Sequence, residues 1–316
     1  MQRDETRSIE IHRAPDGGFC FGVEQAVQSA KAAALESTSV YTFGEVVHNP
    51  DVVCDLARRG IRVAKTPEAV PAGATVIIRS HGVAPAVLSA LQKRGVKVLD
   101  ATCPRVRQVQ RAAERYTAEG ASLVLVGRLH HPEVQGVMGR CPDETEVIAS
   151  VDEAEALPDK PARTVLFQTT FSPPEARAIV EALDRRTGDL VMEKTLCPVV
   201  QARRESVRNL AKKVDLLVVV GGKNSSNTQA LLDIGLEAGT RTLSVETAKD
   251  TEHYAWMIDS VRSIGVVGGT STPRESLDAV CNAIRAQIAM EQGEPLVREN
   301  ESAHSDCQPL KQRKGR

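Results

Sequence analysis

Three cysteines, Cys20, Cys103 and Cys197, stand 83 and 94 residues apart, each where an apolar run has just ended and a helical pattern begins. Unpaired backbone N–H groups and the positive dipole end at a helix start favour a thiolate, and thiolates ligate metal. Four cysteines usually hold a cubane iron-sulfur cluster, so three would leave one iron without a protein ligand and open to substrate. Taken singly, each cysteine also fits a small buried hydrophobe, and no CxxC pair announces a cluster. The recurrence of one position three times favours ligation. Cys54, Cys141 and Cys281 lie outside such loops and are read as structural.

Other strand-end loops carry His48, His81, His131, Thr169, Ser225, Ser226, Asn227 and Ser271. Hydroxyls, amides and helix N-termini can cradle a phosphate, and a histidine beside a polyanion gains the full positive charge that the loops otherwise lack. Any one histidine is as readily an ordinary polar residue; the joint arrangement argues for a site. Glu133, two residues after His131, is the carboxylate amid these loops, and both a proton donor and a plain helix-start charge fit it. GGKNSSN lacks the leading glycine of a nucleotide P-loop, and neither VVGG nor GFCFG completes GxGxxG, so ATP and nicotinamide sites are not expected. No HExxH or close ligand pair supports a zinc hydrolase.

The elements that must position these residues form a repeated unit, a short apolar run, a polar or glycine-containing loop and a helical pattern, which is the sequence form of parallel α/β structure. Nine units can be picked out, in three groups whose first members are IEIHRAPDGGFC, VKVLDATC and LVMEKTLC. Ligands bind at the carboxyl ends of parallel strands, where all nine loops fall. The expectation is an α/β protein of three pseudo-equivalent lobes with parallel sheets around a central iron-sulfur site. The lobes are placed at 22–103, 104–196 and 197–290, with an N-terminal strand at 8–20 joining the third. The segment 291–316 is polar, aperiodic and expected to be disordered, which makes its His304 and Cys307 poor site candidates.

With 40 basic and 41 acidic residues the chain has a formal charge of -1, so no overall field favours nucleic acid or an anionic membrane. A 41% hydrophobic content suits a globular protein with a real core. No run approaches the roughly 20 apolar residues of a membrane span, and the N-terminus lacks the apolar core of a signal peptide. A cytoplasmic protein with reduced or metal-bound thiols is expected.

In order along the chain, GFCFGVEQAV, EVVHNP, SHGV, DATCP, HPEVQGVMG, QTT, VVGGKNSSN and GTSTP resemble the 4-hydroxy-3-methylbut-2-enyl diphosphate reductase family, which ends the methylerythritol phosphate route to isoprenoids. The likeness runs from about Ile9 to Ile288. It implies one four-iron four-sulfur cluster held by Cys20, Cys103 and Cys197. It implies an allylic diphosphate held by His48, His81, His131, Ser225, Ser226, Asn227 and Ser271, with Thr169 orienting the hydroxyl and relaying protons and Glu133 as the proton donor. It also implies a ferredoxin or flavodoxin as electron donor.

The chain departs from that family after the third cysteine. CPVVQARRE places Val199 and Val200 where alanine and threonine are usual, and Arg204 where glutamine is usual. Phe21, where alanine is common, and Gln135 are milder differences. The lost hydroxyl motivates an alternative, a divergent copy that senses the diphosphate without turning it over.

Overall fold

A run such as Leu216-Leu217-Val218-Val219-Val220 has no polar member to show to water, so a strand with that pattern must be covered on both faces. In the computed structural model, which describes residues 9–47, 49–223 and 225–291, all five of these side chains are buried.

The chain begins with β1 (Glu10–Arg13) and α1 (Phe21–Glu36), then β2 (Val40–Phe43), α2 (Pro50–Arg58), β3 (Arg62–Ala64), β4 (Thr75–Ile78), α3 (Pro85–Lys93) and β5 (Lys97–Asp100). It continues through α4 (Pro104–Ala118), β6 (Leu123–Val126), α5 (Pro132–Met138), β7 (Glu146–Ile148), α6 (Val151–Ala156), β8 (Lys160–Phe167), α7 (Pro173–Asp184) and β9 (Thr187–Met192). It ends with α8 (Pro198–Ala211), β10 (Leu216–Val220), α9 (Ser226–Glu237), β11 (Arg241–Val245), α10 (Ala255–Ile258), β12 (Ser263–Gly268) and α11 (Arg274–Glu291).

The strands form three four-stranded sheets with the orders β3-β2-β4-β5, β7-β6-β8-β9 and β11-β10-β12-β1, and every pairing is parallel. The α/β class with three equivalent parallel sheets is therefore as expected. The twelve strands among the described residues exceed the nine anticipated by β3, β7 and β11. These edge strands are short, with stretches such as Arg62-Val63-Ala64 and Glu146-Val147-Ile148 too brief to show a period of two.

One feature of the topology governs the site: the chain changes lobe at each of the three cysteines. β5 is the edge of the first sheet, but α4, which follows Cys103, buries Val109, Ala112 and Ala113 against Leu125 and Leu166 of the second. β9 closes the second sheet, whereas α8 after Cys197 packs Val207 and Ala211 on Leu217 and Val219 of the third. β1 pairs with β12 in the third sheet, Ile11 opposite Ile264, while α1 after Cys20 packs Val27 and Ala30 on Val40 and Ile77 of the first. Pro104 and Pro198 open their helices immediately after the cysteine, where a missing N–H costs nothing and a fixed φ favours the first turn. Among the described residues no helix is long and apolar enough to cross a membrane.

Candidate active site

Cys20, Cys103 and Cys197 are the N-cap residues of α1, α4 and α8, and none uses its side chain to cap the helix. Each is held by its backbone in the same way. The amide of Cys103 donates to Ser80 O at 2.9 Å, that of Cys197 to Thr169 O at 2.9 Å, and that of Cys20 to Thr270 O at 3.1 Å. Ser80, Thr169 and Thr270 lie in the loops after β4, β8 and β12, the strands beside the departing edge strand. The three crossovers meet: a β-carbon on Gly22 would stand 2.5 Å from Cys103 Sγ, and the Cys20 thiol feels the charges of both Cys103 and Cys197.

The acidity of Cys20 corrects the expectation drawn from its helix position. Burial raises its pKa above the ordinary thiol value, and the other two cysteines add to this, against the Val23 N–H and Arg203, which lower it. Desolvation outweighs the helix end, so the thiolate here needs a positively charged partner. Among the described residues, no three His, Cys, Asp or Glu side chains converge closely enough to share one metal ion. The thiols of Cys103 and Cys197 act electrostatically on that of Cys20, and three cysteines without a histidine are a donor set that suits a thiolate-held iron-sulfur group.

Glu133 sits in the first turn of α5 and is 1% exposed. Its Oε1 accepts the Thr169 N–H at 2.6 Å and its Oε2 lies 2.8 Å from Thr169 Oγ1. Burial pushes its pKa up to about 7, against the lowering effect of the two Thr169 bonds. A carboxyl in this range exchanges protons near neutral pH. Since Thr169 O also accepts the Cys197 amide, one residue joins the buried acid to the thiol centre.

His131 caps α5, its Nδ1 accepting the Glu133 N–H at 3.2 Å, which leaves Nε2 to carry the ring proton. The His81 ring meets it edge to face, with centroids 5.3 Å apart. In the third lobe, Ser225 caps α9 by accepting the Thr228 N–H, Ser226 opens the helix half-buried, and Asn227 is buried with neither amide atom hydrogen-bonded among the described residues. A β-carbon on Gly269 would lie 3.6 Å from Asn227 Nδ2, so the loop carrying half-buried Ser271 abuts Asn227. A buried amide without partners is costly unless a polar ligand completes it. His48 lies outside the described residues, as do His304, Cys307 and the polar segment beyond Glu291.

Cys281 is fully buried in the third core, and half-buried Cys141 donates to Val137 O, as suits structural thiols. Sequence reasoning noted Arg204 only as a departure from the family and missed buried Arg203 and half-buried Arg79. Arg79 precedes Ser80, and burial lowers its pKa. Arg203 donates to Gly268 O at 3.3 Å, and Arg204 to Phe171 O and Thr170 O. The available signal was two adjacent cations on α8, a helix whose neighbouring positions face the core. A cleft of about 950 Å³ between the second and third lobes is lined by Thr170, Gln201, Arg204 and Ser226 among others, and so borders this site.

Three parallel α/β lobes whose crossovers bring three thiols beside a buried acid and an incompletely bonded polar pocket define a class of protein built around one shared thiol centre. The chain belongs to the LytB protein family, whose model matches residues 11–285. It is 38% identical over 281 residues to 4-hydroxy-3-methylbut-2-enyl diphosphate reductase of Thermoanaerobacter sp. (strain X514), covering 88% of this chain and 97% of that one. Identity to the Burkholderia pseudomallei (strain 1026b) protein of the same name is 39% over 284 residues, covering 88% and 90%. A solved structure of (E)-4-hydroxy-3-methyl-but-2-enyl diphosphate reductase superposes with a TM-score of 0.66 at 35% identity, covering 88% of this chain and 99% of that one. The Plasmodium falciparum enzyme superposes at 0.82, covering 87% of each chain; its 23% identity speaks for the fold alone.

Proposed function

We propose that this chain is an iron-sulfur oxidoreductase that reductively removes the hydroxyl of (E)-4-hydroxy-3-methylbut-2-enyl diphosphate. The products are isopentenyl and dimethylallyl diphosphates and water, and the electrons come from a ferredoxin or flavodoxin. The observation that carries the reading is the unbroken link from Glu133 through Thr169 to Cys197, which supports Glu133 as a proton source for chemistry at the thiol centre. The names of the relatives that match over most of the chain supply the substrate.

Cys20, Cys103 and Cys197 would hold a four-iron four-sulfur cluster, which when bound supplies two electrons in successive steps and a Lewis-acidic iron at the departing oxygen. The protein's own groups do the rest. His131 Nε2–H, His81, Ser225, Ser226, Asn227 and Ser271, with His48, hold the diphosphate, helped by the N-terminal end of α9. Thr169 Oγ1 donates to Glu133 Oε2; protonation of that oxygen reverses the bond and turns the threonine's own proton outward. That proton converts the poor leaving group hydroxide into water, and a second proton ends on carbon. Two electrons and two protons balance the exchange of C–OH for C–H plus water. An allylic anion can accept its proton at either of two carbons, which accounts for two products.

The test is anaerobic purification followed by turnover with a chemical reductant. The expected protein is brown, carries about four irons, and releases both products, while Cys103→Ser loses iron and turnover together. Colourless protein with tightly bound zinc would overturn the cluster. Spectral response to the diphosphate without product would replace catalysis by sensing, a reading that the buried apolar Val200, three residues after Cys197, favours.

A further inference from the structure

We infer that Arg204 is a positioning residue that fixes the Thr169 loop and thereby holds the acid and the third cysteine in one geometry; this rests on the reductase reading. Arg204 lies seven residues after Cys197 on α8 and is 5% exposed. Its Nη1 donates to Phe171 O at 2.8 Å and its Nη2 to Thr170 O at 2.6 Å. Those carbonyls directly follow Thr169, which binds Glu133 through both its N–H and its hydroxyl and receives the Cys197 amide on its carbonyl. The contacts close a ring: Cys197, two turns of α8, Arg204, the Thr170–Phe171 carbonyls, Thr169, and Cys197 again.

The guanidinium has been taken out of water without an ion pair. Burial lowers its basicity, and among the described residues no carboxylate lies within ion-pair distance of it, Glu175 acting only at longer range. A buried cation whose side-chain hydrogen bonds among the described residues go to two consecutive carbonyls acts on the position of that backbone.

At the Cys103 crossover the helix packs on the anchor loop without bonding to it. Seven residues after Cys103, Gln110 is buried beside Gly82, and its Nε2 makes no hydrogen bond among the described residues. Gly82 lies in the loop after β4, whose Ser80 anchors Cys103 as Thr169 anchors Cys197. At the remaining crossover the equivalent residue is apolar Val27, and the brace comes from α8 instead. There Arg203 Nη1 donates to Gly268 O, two residues before Thr270, the anchor of Cys20. Adjacent arginines on α8 thus secure two of the three anchor loops. The family's usual glutamine at position 204 keeps an amide donor at the place from which Arg204 reaches the two carbonyls, which makes Arg204→Gln the conservative variant.

Two readouts test this on the as-purified anaerobic protein. Amide exchange across residues 168–172, followed by mass spectrometry, needs no turnover; in Arg204→Ala it should rise about tenfold as the loop opens locally. In the same variant kcat should fall about tenfold while KM stays within about twofold, because the loop orients the proton source without touching the diphosphate. Arg204→Gln should restore most of both. If Arg204→Ala does not accumulate, Arg204→Lys carries the test. Its single point donor cannot bridge two carbonyls, so exchange and kcat should move the same way by a smaller factor. Unchanged exchange and unchanged kcat would overturn the assignment, as would a fall in affinity with kcat preserved. A wild-type protein that makes no product, with exchange still responding to Arg204, would sink the reductase reading and leave the brace standing.

Discussion

Glu133 is an acid near neutrality because burial opposes its charge more strongly than two hydrogen bonds from Thr169 support it. Replacing it by glutamine keeps the shape and the contacts with Thr169 but removes the transferable proton. The expected result is a kcat lower by roughly 10²–10⁴-fold with KM little changed, measured by steady-state turnover at pH 7. The wild-type rate should decline as pH rises through about 7, where the carboxyl loses its proton. Glu133→Gln should lack that limb; a wild-type profile flat across this range would remove Glu133 as donor. The same group ties stability to pH. Its folded pKa lies above the ordinary 4.5, so the fold favours the neutral form. That contribution is complete below pH 4.5 and is lost as pH climbs through about 7. Thermal melts should therefore show Glu133→Gln gaining on the wild type above pH 7, with no gain in acid.

Each cysteine is displayed by a crossover, an edge strand of one sheet leading through the thiol into a helix of the next lobe. The first turn of α1 must pass close to Cys103, and Gly22 makes that approach possible, since an added β-carbon would overlap Cys103 Sγ at 2.5 Å. Gly22→Ala should therefore force either the helix or the thiol to move. A loss of about 1–3 kcal/mol in urea unfolding is expected, together with reduced iron per chain. Full iron content in Gly22→Ala would show that Cys103 can shift without leaving the centre. Gly82 has a stricter requirement, combining a φ of +69° with Gln110 packed where a side chain would go.

At the scale of the molecule, the chain closes on itself: its first strand completes the last sheet, with Glu10–Arg13 registered on Ser263–Val266. Three lobes are thereby joined by three crossovers, with Cys20 at the one where the amino-terminal strand returns. Ser276 Oγ to Asp51 at 3.1 Å adds a bond between the third and first lobes. Removing residues 1–13 would strip β12 of a partner and leave Cys20 without the strand that leads to its Thr270 anchor. The truncated chain should keep the helical signal of the remaining lobes by circular dichroism, yet lose most of its iron. Retention of wild-type iron and turnover would show that α1 alone suffices to place Cys20.

Local patterns in the sequence were enough for the parallel α/β class, for nine of the strands, and for thiols poised at three helix starts. Apolar runs, prolines and loop residues act within a few positions of themselves. The edge strands β3, β7 and β11 escaped because a three- to five-residue strand shows its identity through its neighbour's hydrogen bonds, not through its own period. The raised pKa values of Cys20 and Glu133, the His81–His131 contact and the bonding of Arg204 were decided by tertiary structure alone. Each depends on burial and on groups from distant segments. A sequence states which residues exist, whereas desolvation and contact arise only when the lobes pack together.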